Sequence, residues 1–563
     1  MRGGFYLTKL SYSQRIETLN KITEGKLDLL IIGGGITGAG LALQAGAQNL
    51  NAALIEMQDF AAGTSSRSTK LVHGGLRYLK QFEVELVADI LQEREVVYQN
   101  APHIVQPDRM LLPVYDEEGA SFSKISAKVA LDLYDRLAEL DEDSEWRSRM
   151  ISKEEVLEGN PMLKKEGLIS GGLYLDFIND DARLTIEILK KANELGTHVL
   201  NYVKAIDFLY DETNQIKGVL AKDQTTGETY EIYASVVVNA TGPWADETQN
   251  MQEGNDTNRM YPTKGVHFVV DKDKLPVKHT IYTDTGFDDH RMIFIIPRGN
   301  KTYFGTTDTP YEGDLTEPPI TMEDVDYLLK AVNLRFPEAN LTLEDIETGW
   351  AGLRPLILQE GATDPSNISR THEVFVSDAG LVTIGGGKLT DYRLMALDTF
   401  EVILDELKEK TGKAYSLVQT KNISLSGGDL PENISFEDYV DEQIEKGVQA
   451  GLSEKQAKSL VEWYGTNAET VFSLTNEAKT IDLPLDIALS LVYAIQYEGA
   501  FTPADFFLRR TEILLFDTGN VGKWASKVLD YMSYYFDWDE KEKNEWKKDF
   551  EETISTIQLK NLR

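Results

Sequence analysis

A continuous apolar run, a glycine-rich turn and a second apolar run predict a strand–helix–strand unit near the N-terminus. The first run lies in DLLIIGGGITGAGLALQAGAQ at 28–48, where a buried strand gives way to a helix rich in Ala and Leu. NAALIE at 51–56 has the pattern of the next buried strand. This order of elements is a βαβ unit, and the first 25 residues are expected to add a short amphipathic helix.

Further along, the apolar pattern changes between a helical period and a strand period several times. Helices are expected over 82–100 and over 184–200, the latter leading into a strand. Strands are expected at 216–223, 229–242, 263–271 and 291–307. Within the last of these, Pro297-Arg298-Gly299-Asn300 has the composition of a hairpin turn. The last two runs therefore predict an antiparallel sheet that is separate from the parallel one.

The final part of the chain has a helical pattern only. It follows a second strand–glycine turn–helix at 380–396 and a breaker, GGDLP, at 427–431. Ser453 and Gln456 have the spacing of a capping box at the start of a helix. From the breaker to Arg563 we expect helices, which would form a region of their own.

The composition is that of a folded protein whose redox chemistry would depend on an organic cofactor. The chain has 563 residues, of which 42% are hydrophobic and 26% charged, and this suits two or three domains with a large core. It has no cysteine, which excludes disulfides, iron–sulfur clusters, thiolate zinc sites and dithiol relays. No metal site is predicted.

The strong negative charge restricts the partners of the protein. A net charge of −35 would repel nucleic acid and anionic membrane surfaces. No run approaches the ~20 apolar residues of a membrane span, no basic amphipathic helix is evident, and the N-terminus lacks the apolar core of a signal peptide. We therefore expect a cytoplasmic protein without an integral membrane segment. An anionic substrate would need Arg and Lys side chains that reverse the potential inside a pocket.

The first glycine turn has the spacing of a dinucleotide-binding loop. In Gly33-x-Gly35-x-x-Gly38, the first glycine permits a tight turn, the second lets the backbone approach a pyrophosphate, and the third allows helix and strand to pack closely. Glu56 ends the next strand, in the place of a carboxylate that holds a ribose hydroxyl. Tight strand–helix packing alone is the alternative, but the complete βαβ context favours dinucleotide binding.

Three further segments have the small residues that close contact with a cofactor requires. GTSSRSTKLVHGGLRYL at 63–79 is dense in Ser, Thr and Gly; a capped surface helix would explain its hydroxyl groups but not its glycine pair beside a basic residue. NATGP at 239–243 follows an apolar strand. GGGK at 385–388 begins a second helix, whose N-terminus could stabilise negative charge on a reduced flavin ring.

Together these segments resemble the FAD-dependent glycerol-3-phosphate dehydrogenase/oxidase family, and within it most of all the soluble α-glycerophosphate oxidases. The matching pieces are IGGGITGAG (32–40), TSSRSTKLVHGGLRYL (64–79), VNATGPW (238–244), TKGVHFVV (263–270), YFGTTDT (303–309), GLRPL (352–356), GGKLTDYR (386–393) and DFFLRRT (505–511). They occur in one order and span nearly the whole chain. One stretch departs from the pattern: 356–370 is short, where some oxidases of this kind carry a long insertion.

The resemblance implies an α/β plus α+β fold with three parts. A Rossmann-like FAD-binding domain of the glutathione-reductase/D-amino-acid-oxidase type is expected to be discontinuous. A substrate domain is expected to be built on an antiparallel sheet, and an all-α region is expected to form a C-terminal cap. The boundaries are predicted at 1–80, 151–255 and 350–415 for the FAD-binding domain, 81–150 and 256–349 for the substrate-binding domain, and 416–563 for the helical domain.

The resemblance also implies FAD as the cofactor and a set of residues that contact it. These residues come from both glycine turns, from the hydroxyl-rich segment and from two strand ends. They are Gly33, Gly35, Gly38, Glu56, Thr64, Ser65, Ser66, Ser68, Val203, Thr241, Gly242, Gly387, Lys388, Leu389 and Thr390.

Cations are expected to bind the phosphate of the substrate. By the resemblance, Arg354, Arg370 and Lys388 surround the substrate phosphate and the flavin, and Arg77 and Tyr78 line the same pocket. Arg suits this role because its planar guanidinium binds oxygen pairs bidentately. A surface ion pair is the alternative for each arginine. Arg354 and Lys388 are expected to act in catalysis as well as in binding.

Two histidines fall within the motifs and are candidates for the catalytic base. His267 lies in the middle of a predicted strand, with Val266 and Phe268 facing the opposite side. A strand histidine is more often a satisfied core residue, but the resemblance makes His267 the first candidate, either as base or as a hydrogen-bond donor that polarises the substrate hydroxyl. His73 is the second candidate, with a role nearer the flavin. Neutral imidazole suits either role near physiological pH.

The expected reaction is oxidation of sn-glycerol 3-phosphate to dihydroxyacetone phosphate, by hydride transfer from C2 to N5 of FAD. Molecular oxygen is the expected second substrate and gives hydrogen peroxide. The alternative is a membrane-associated dehydrogenase that passes electrons to quinone. A flavin-binding protein without turnover, acting through its helical region, is a third hypothesis. Homo-oligomerisation is left open.

Overall fold

The computed structural model describes residues 9–81, 83–252, 256–289, 291–358 and 371–563, apart from the side chains of Arg77, Lys80 and Gln81. The strands, in chain order, are β1 (Lys26–Ile32), β2 (Ala52–Ile55), β3 (Leu71–Val72), β4 (Gln106–Tyr115), β5 (Arg149–Ser152), β6 (Leu168–Ile178), β7 (His198–Leu200), β8 (Val203–Tyr210), β9 (Ile216–Asp223), β10 (Thr229–Asn239), β11 (Met260–Asp271), β12 (Ile281–Asp284), β13 (Met292–Arg298), β14 (Lys301–Gly305), β15 (Thr309–Pro310), β16 (Ile346–Ile357), β17 (His372–Val376) and β18 (Leu381–Gly386).

The helices before the breaker at 427–431 are α1 (Tyr12–Thr23), α2 (Ile36–Ala47), α3 (Val84–Asn100), α4 (Lys124–Leu137), α5 (Lys153–Gly159), α6 (Asp181–Glu194), α7 (Ala245–Gln249), α8 (Met322–Arg335) and α9 (Tyr392–Thr411). Those after it are α10 (Phe436–Gln449), α11 (Glu454–Tyr464), α12 (Ala468–Ser473), α13 (Thr475–Ala478), α14 (Leu485–Tyr497), α15 (Ile513–Phe516), α16 (Thr518–Phe536) and α17 (Glu540–Ile557).

The first sheet has a parallel centre. β1 pairs in parallel with β2 and β10, while β2 pairs in parallel with β7, and β10 with β18. These strands are apolar on both faces because α2, α6 and α9 bury one face and β8 and β9 with α1 lie near the other. The carboxyl ends of β1, β10 and β18 therefore meet at one edge of the sheet, where ligands bind in folds of this kind.

The second sheet carries the long strands of the substrate side. Its order is β15-β11-β14-β13-β12-β4-β6-β3, with β16 paired to β11 and β5 paired to β6. The pairing is antiparallel as predicted, except at one short parallel contact between β12 and β4. β13 and β14 form the predicted hairpin, in which Gly299 takes the left-handed conformation that the turn needs (φ +60°).

The helical region after the breaker has its own apolar clusters. One is built by α10, α11, α12 and α14, and the other by α14, α16, α17 and the π-helical turn Asp505–Arg510. No strand occurs among residues 427–563, all of which are described, so the prediction of an all-helical region is confirmed. In the described part of the chain no helix is long and apolar enough to cross a membrane.

The observed strand pairing can be compared with the predicted domain boundaries. β6 lies within 151–255 and β16 runs across the boundary at 350, yet both pair in the second sheet. The parallel sheet and the glycine turns of the predicted FAD-binding domain lie in its remaining parts, 26–55, 198–239 and 372–386. The predicted boundaries therefore remain a proposal, and strand pairing favours moving β6 and β16 to the substrate side.

Candidate active site

A cavity of ≈ 620 Å³ lies where the two sheets meet. It is lined by residues that follow β1, β10 and β18, by the segment 62–73, and by parts of β11 and β16. Its size is in the range of small-molecule and cofactor sites. The chain thus places both glycine turns and the second sheet around one cavity.

The first glycine turn fits closely between a strand and a helix. Gly33 has φ +115°, and a Cβ there would lie 2.5 Å from the carbonyl oxygen of Ala240. A Cβ on Gly38 would lie 1.8 Å from the Gly33 carbonyl oxygen, so this glycine serves the packing of α2 against the turn. Gly35 precedes α2, and Ser65 Oγ accepts a hydrogen bond from the Ile36 N–H at 2.8 Å. Gly35, Ile36 and Thr37 at the N-terminus of α2 line the cavity, and a helix N-terminus in such a position favours a negatively charged ligand.

Glu56 stands at the end of β2, on the wall of the cavity. Its carboxylate accepts hydrogen bonds from the backbone N–H of Gly34 at 2.6 Å and of Gln58 at 2.8 Å. Burial raises the pKa of Glu56, although both backbone hydrogen bonds act in the opposite direction. These contacts fix the carboxylate beside the turn, as a partner for ribose hydroxyls requires.

The second glycine turn brings a lysine to the cavity. Gly387 has φ +81°, and a Cβ there would lie 2.4 Å from Met395 Sδ, so only glycine fits the turn. The N–H of Lys388 donates to Asp391 Oδ1 at 2.9 Å, and Lys388 Nζ lies 4.1 Å from the centre of the Tyr78 ring. The Lys388 ammonium therefore lies over an aromatic ring, and Lys388 lines the same cavity as the first glycine turn.

His267 is buried in β11, with 2% of its surface exposed, and lines the cavity. Its ring stacks on Trp350 of β16 (5.0 Å between centres, 13° between planes), and its Nε2 is hydrogen-bonded to Thr69 Oγ1 at 3.0 Å. Its Nδ1 has no hydrogen-bond partner in the described part of the chain. Burial, together with the charges of Arg354 and Lys70, lowers the pKa of His267 well below its usual range. The imidazole is therefore neutral at physiological pH.

Two arginines bring positive charge to the cavity. Arg354 Nη1 donates to Asp308 Oδ1 at 3.2 Å and Nη2 to Thr306 Oγ1 at 3.1 Å. Arg67 donates to the Thr316 carbonyl at 3.0 Å and forms no ion pair with any residue that the structure describes. Burial and the nearby Arg509 lower the pKa of Arg67 to about 10. With Lys388 these side chains form a positive region in a very acidic protein, and such a region suits a phosphate.

The chain matches the family described as "FAD dependent oxidoreductase" over residues 28–456. It belongs to this family. A second match, over residues 418–543, is to the "C-terminal domain of alpha-glycerophosphate oxidase". FAD is thus the cofactor, as predicted, and the fold class is confirmed.

Relatives of this FAD oxidoreductase resemble it over nearly their full length. It is 46% identical to an alpha-glycerophosphate oxidase of Streptococcus pneumoniae serotype 4, with 99% of this chain and 100% of the relative covered. It is 47% identical to an aerobic glycerol-3-phosphate dehydrogenase of Bacillus subtilis, with 95% and 96% covered. The solved structure of a glycerol-3-phosphate dehydrogenase from Bacillus halodurans, complexed with FAD, matches with TM-score 0.82 and 39% identity, covering 97% and 98% of the two chains.

The residues that line the cavity of this oxidoreductase suit FAD. Both glycine turns lie on its wall and are too tightly packed for a Cβ, so bare backbone faces the ligand space, and the cations Arg354 and Lys388 and the fixed carboxylate of Glu56 line the same cavity. The predicted residues that line this cavity are Gly33, Gly35, Glu56, Thr64, Ser65, Ser68, His73, Tyr78, Val203, Thr241, Gly242, His267, Arg354, Gly387, Lys388, Leu389 and Thr390. Their individual roles remain predictions.

Two predicted residues do not line the cavity, and two others are not described by the structure. Gly38 is packed under the turn rather than on the cavity wall, and Ser66 is buried and is not part of the lining. The side chain of Arg77 is outside the description, and Arg370 lies outside the described residues.

Several cavity residues were missed by sequence reasoning. Trp244, Thr69 and Arg67 line the cavity, and the Trp350 ring stacks on the ring of His267. Thr69 and Arg67 lie inside the segment 64–79, so their position in a cofactor motif was a usable signal. The pairing of Trp350 with His267 depends on the register of β11 and β16, which the sequence alone does not give.

Proposed function

We propose that this protein oxidises sn-glycerol 3-phosphate to dihydroxyacetone phosphate and transfers the electrons to molecular oxygen, giving hydrogen peroxide. Support comes from membership of the FAD oxidoreductase family, from the activities for which relatives 44–47% identical over nearly the full chain are named, and from the cavity itself. The single observation that carries the proposal is that neutral His267 shares one cavity with the cations Arg354 and Lys388.

FAD, when bound, supplies the acceptor for the hydride on C2 and the route by which two electrons reach oxygen. His267 accepts the proton of the C2 hydroxyl at Nε2, the ring nitrogen that is hydrogen-bonded to Thr69. Burial lowers the pKa of His267, so the imidazole is unprotonated at neutral pH before the substrate binds. The His267 ring stacks on Trp350, and this contact keeps the imidazole in one orientation. His73, which also lines the cavity, is the second candidate for this role.

The phosphate of the substrate is bound by the positive region. Arg354 offers its guanidinium from β16, and Lys388 offers an ammonium above Tyr78. We assign Arg370 and Arg77 to the same pocket from their sequence motifs. Charge-assisted hydrogen bonds to phosphate are short and strong, and they offset the repulsion by a chain of net charge −35. A cytoplasmic location is part of this proposal.

Two observations favour the quinone-reducing dehydrogenase as a second candidate. The alignment with the streptococcal oxidase extends over 609 positions, more than the 563 residues of this chain, whereas the alignment with the Bacillus subtilis dehydrogenase extends over 540. This chain thus lacks residues that the oxidase has. In α4, Ile125 and Val129 are 79% and 61% exposed, and each directly follows a lysine (Lys124 and Lys128); the sequence did not reveal this exposed apolar pair.

One experiment tests both candidates. Glycerol 3-phosphate is added to the purified flavoprotein without oxygen, and the flavin absorbance is followed. Bleaching is expected, and its absence would refute oxidation of this substrate. Air is then admitted. Rapid return of the flavin band with one hydrogen peroxide per flavin supports the oxidase, whereas return only on addition of a soluble quinone supports the dehydrogenase.

A further inference from the structure

The segment 68–70, of which Ser68 and Thr69 line the cavity, is fixed by side chains from distant parts of the chain. The N–H and Oγ of Ser68 both donate to Asp181 Oδ2, at 2.9 and 2.7 Å. Thr69 Oγ1 is hydrogen-bonded to His267 Nε2 at 3.0 Å. The position of Thr69, and with it the environment of the His267 ring, therefore depends on what holds this segment.

Lys70, the last residue of this segment, forms ion pairs with two buried carboxylates. Its Nζ lies 2.6 Å from Asp181 Oδ1 and 2.8 Å from Glu512 Oε1, and its side chain is 1% exposed. Glu512 also forms an ion pair with Arg298 of β13. Although burial acts against it, Arg298 and Lys70 lower the pKa of Glu512 to about 2. Glu512 is therefore negatively charged at neutral pH, and the helical region contributes this charge to the ion pair with Lys70.

The backbone at both ends of this ion pair is in an unusual conformation. Lys70 has φ +58° and Glu512 has φ +54°, and both residues carry a Cβ. Residues with a Cβ are strained in the left-handed region, so the surrounding structure must hold this conformation. Residues held in this way often lie at functional sites.

The residues after Glu512 also pack behind His267. Thr348 of β16 donates a hydrogen bond to the Leu515 carbonyl at 2.7 Å. The Phe516 ring lies 6.1 Å from that of Trp350, on which His267 stacks. The same short segment, 512–516, therefore supports both partners of His267.

The same carboxylates could be considered for a metal ion, because Asp180, Asp181 and Glu512 are close together. The Lys70 ammonium already contacts Asp181 and Glu512. Burial and the Glu512 charge raise the pKa of Asp180 to about 8, so this carboxyl keeps a proton at neutral pH. A charge network with Lys70 and Arg298 explains the cluster without a metal.

We infer that Glu512 of the helical region is a positioning residue for the oxidation step, acting through Lys70 and Thr69 on His267. The inference rests on the proposed function, in which His267 accepts the substrate proton. It gives the helical region a role: this region fixes one wall of the active site from outside the FAD-binding and substrate parts. Glu512 itself does not line the cavity.

The test uses the full-length flavoprotein and the limiting rate of flavin reduction by glycerol 3-phosphate in anaerobic stopped flow. Glu512→Gln is expected to lower this rate roughly ten-fold or more, because small displacements of reacting groups are costly. The substrate dissociation constant and the FAD content per chain should change less than two-fold. Glu512→Asp should recover part of the rate.

Glu498→Gln is the matched control, since Glu498 is an equally buried carboxylate of the helical region whose Oε2 accepts a hydrogen bond from Arg183 at 2.6 Å. It should lower the melting temperature without slowing flavin reduction. A reduction rate of Glu512→Gln within two-fold of the unchanged protein, or an equal slowing in Glu498→Gln, would overturn the inference.

Thr69→Val provides a second test, of the route by which Glu512 acts on His267. If Glu512 acts through Thr69, the double variant Glu512→Gln/Thr69→Val should be little slower than the slower single variant. Rate losses that multiply would show two independent effects and would overturn the inference. Failure of the proposed function is distinguishable, because the unchanged protein would then not be bleached at all.

Discussion

Arg510 and Asp59 form a buried bidentate ion pair between the C-terminal helical region and the segment that follows β2. Arg510 Nη1 lies 2.8 Å from Asp59 Oδ2, and Nη2 lies 2.8 Å from Oδ1; neither side chain is exposed. Arg509 Nε adds a third hydrogen bond to Asp59 at 2.6 Å. Asp59 is only three residues after Glu56, so the helical region is joined directly to the cofactor side of the cavity.

Replacement of Asp59 should strongly destabilise the protein. Asp59→Asn leaves Arg509 and Arg510 buried with one carboxylate fewer, and breaking a buried pair in this way costs about 3–5 kcal/mol. Urea unfolding followed by tryptophan fluorescence measures the loss. Glu17→Gln, at an exposed pair with Lys21, is the control and should leave the unfolding midpoint unchanged. Equal midpoints for all three proteins would contradict the importance of this pair.

The same pair predicts loss of stability in acid. Although burial acts against it, Arg510 and Arg509 lower the pKa of Asp59 from 3.8 to about 2. A carboxyl with a lowered pKa in the folded state contributes stability above its unfolded pKa, and the contribution is lost as the pH falls from about 4 to 2. This contribution is roughly 2 kcal/mol. Urea midpoints measured from pH 6 to pH 2.5 should fall steeply below pH 4, and Asp59→Asn should reduce that slope.

Local sequence pattern accounts for much of the fold. The βαβ unit, both glycine turns, the hairpin at Gly299 and the helices after 427 follow from apolar period and turn residues, which act over a few positions. The assignment of β6 to the second sheet could not be predicted, because pairing of β6 with β4 joins segments about 60 residues apart. Nothing local distinguishes such a strand from one of the first sheet.

The site could be predicted where one short motif contains it, and less well elsewhere. Gly33, Gly35 and Glu56 are placed by a single βαβ unit. Asp59 and Arg510 come into contact only when the helical region packs against the segment after β2. No local sequence pattern therefore indicates their ion pair. The same holds for Lys70 and Glu512, which is why the sequence did not indicate a role for the helical region in the active site.

Glu56 should determine how tightly FAD is held. Glu56→Gln removes the negative charge and one acceptor from the wall beside Gly34, and a hydrogen bond to a charged group is worth about 1.5–3 kcal/mol. FAD affinity should therefore fall roughly ten- to hundred-fold, as measured by fluorescence titration of the apoprotein. Glu247→Gln, at an exposed carboxylate on the same cavity, is the matched control. Equal affinities for the two variants would argue against ribose binding by Glu56.

His267 should govern flavin reduction more than substrate binding. His267→Gln keeps a polar side chain between Thr69 and Trp350 but removes a base, and loss of general base catalysis costs typically 10²–10⁴-fold. Single-turnover stopped flow should show this loss in the reduction rate, with a much smaller change in the dissociation constant of glycerol 3-phosphate. His73→Gln is the comparison. A large loss there and an unchanged rate in His267→Gln would transfer the role to His73.

Phosphate recognition can be separated from the rest of the binding energy by comparing two substrates. Arg354→Ala and Arg370→Ala should each weaken binding of glycerol 3-phosphate roughly ten- to hundred-fold, because each removes charge-assisted hydrogen bonds, while weak oxidation of bare glycerol should hardly change. Arg291→Ala is the control, since Arg291 contacts Asp308 as Arg354 does (Nη2 to Oδ2, 3.5 Å) but does not line the cavity. Equal losses for glycerol and its phosphate would mean that these arginines support the fold of the pocket rather than bind the phosphate.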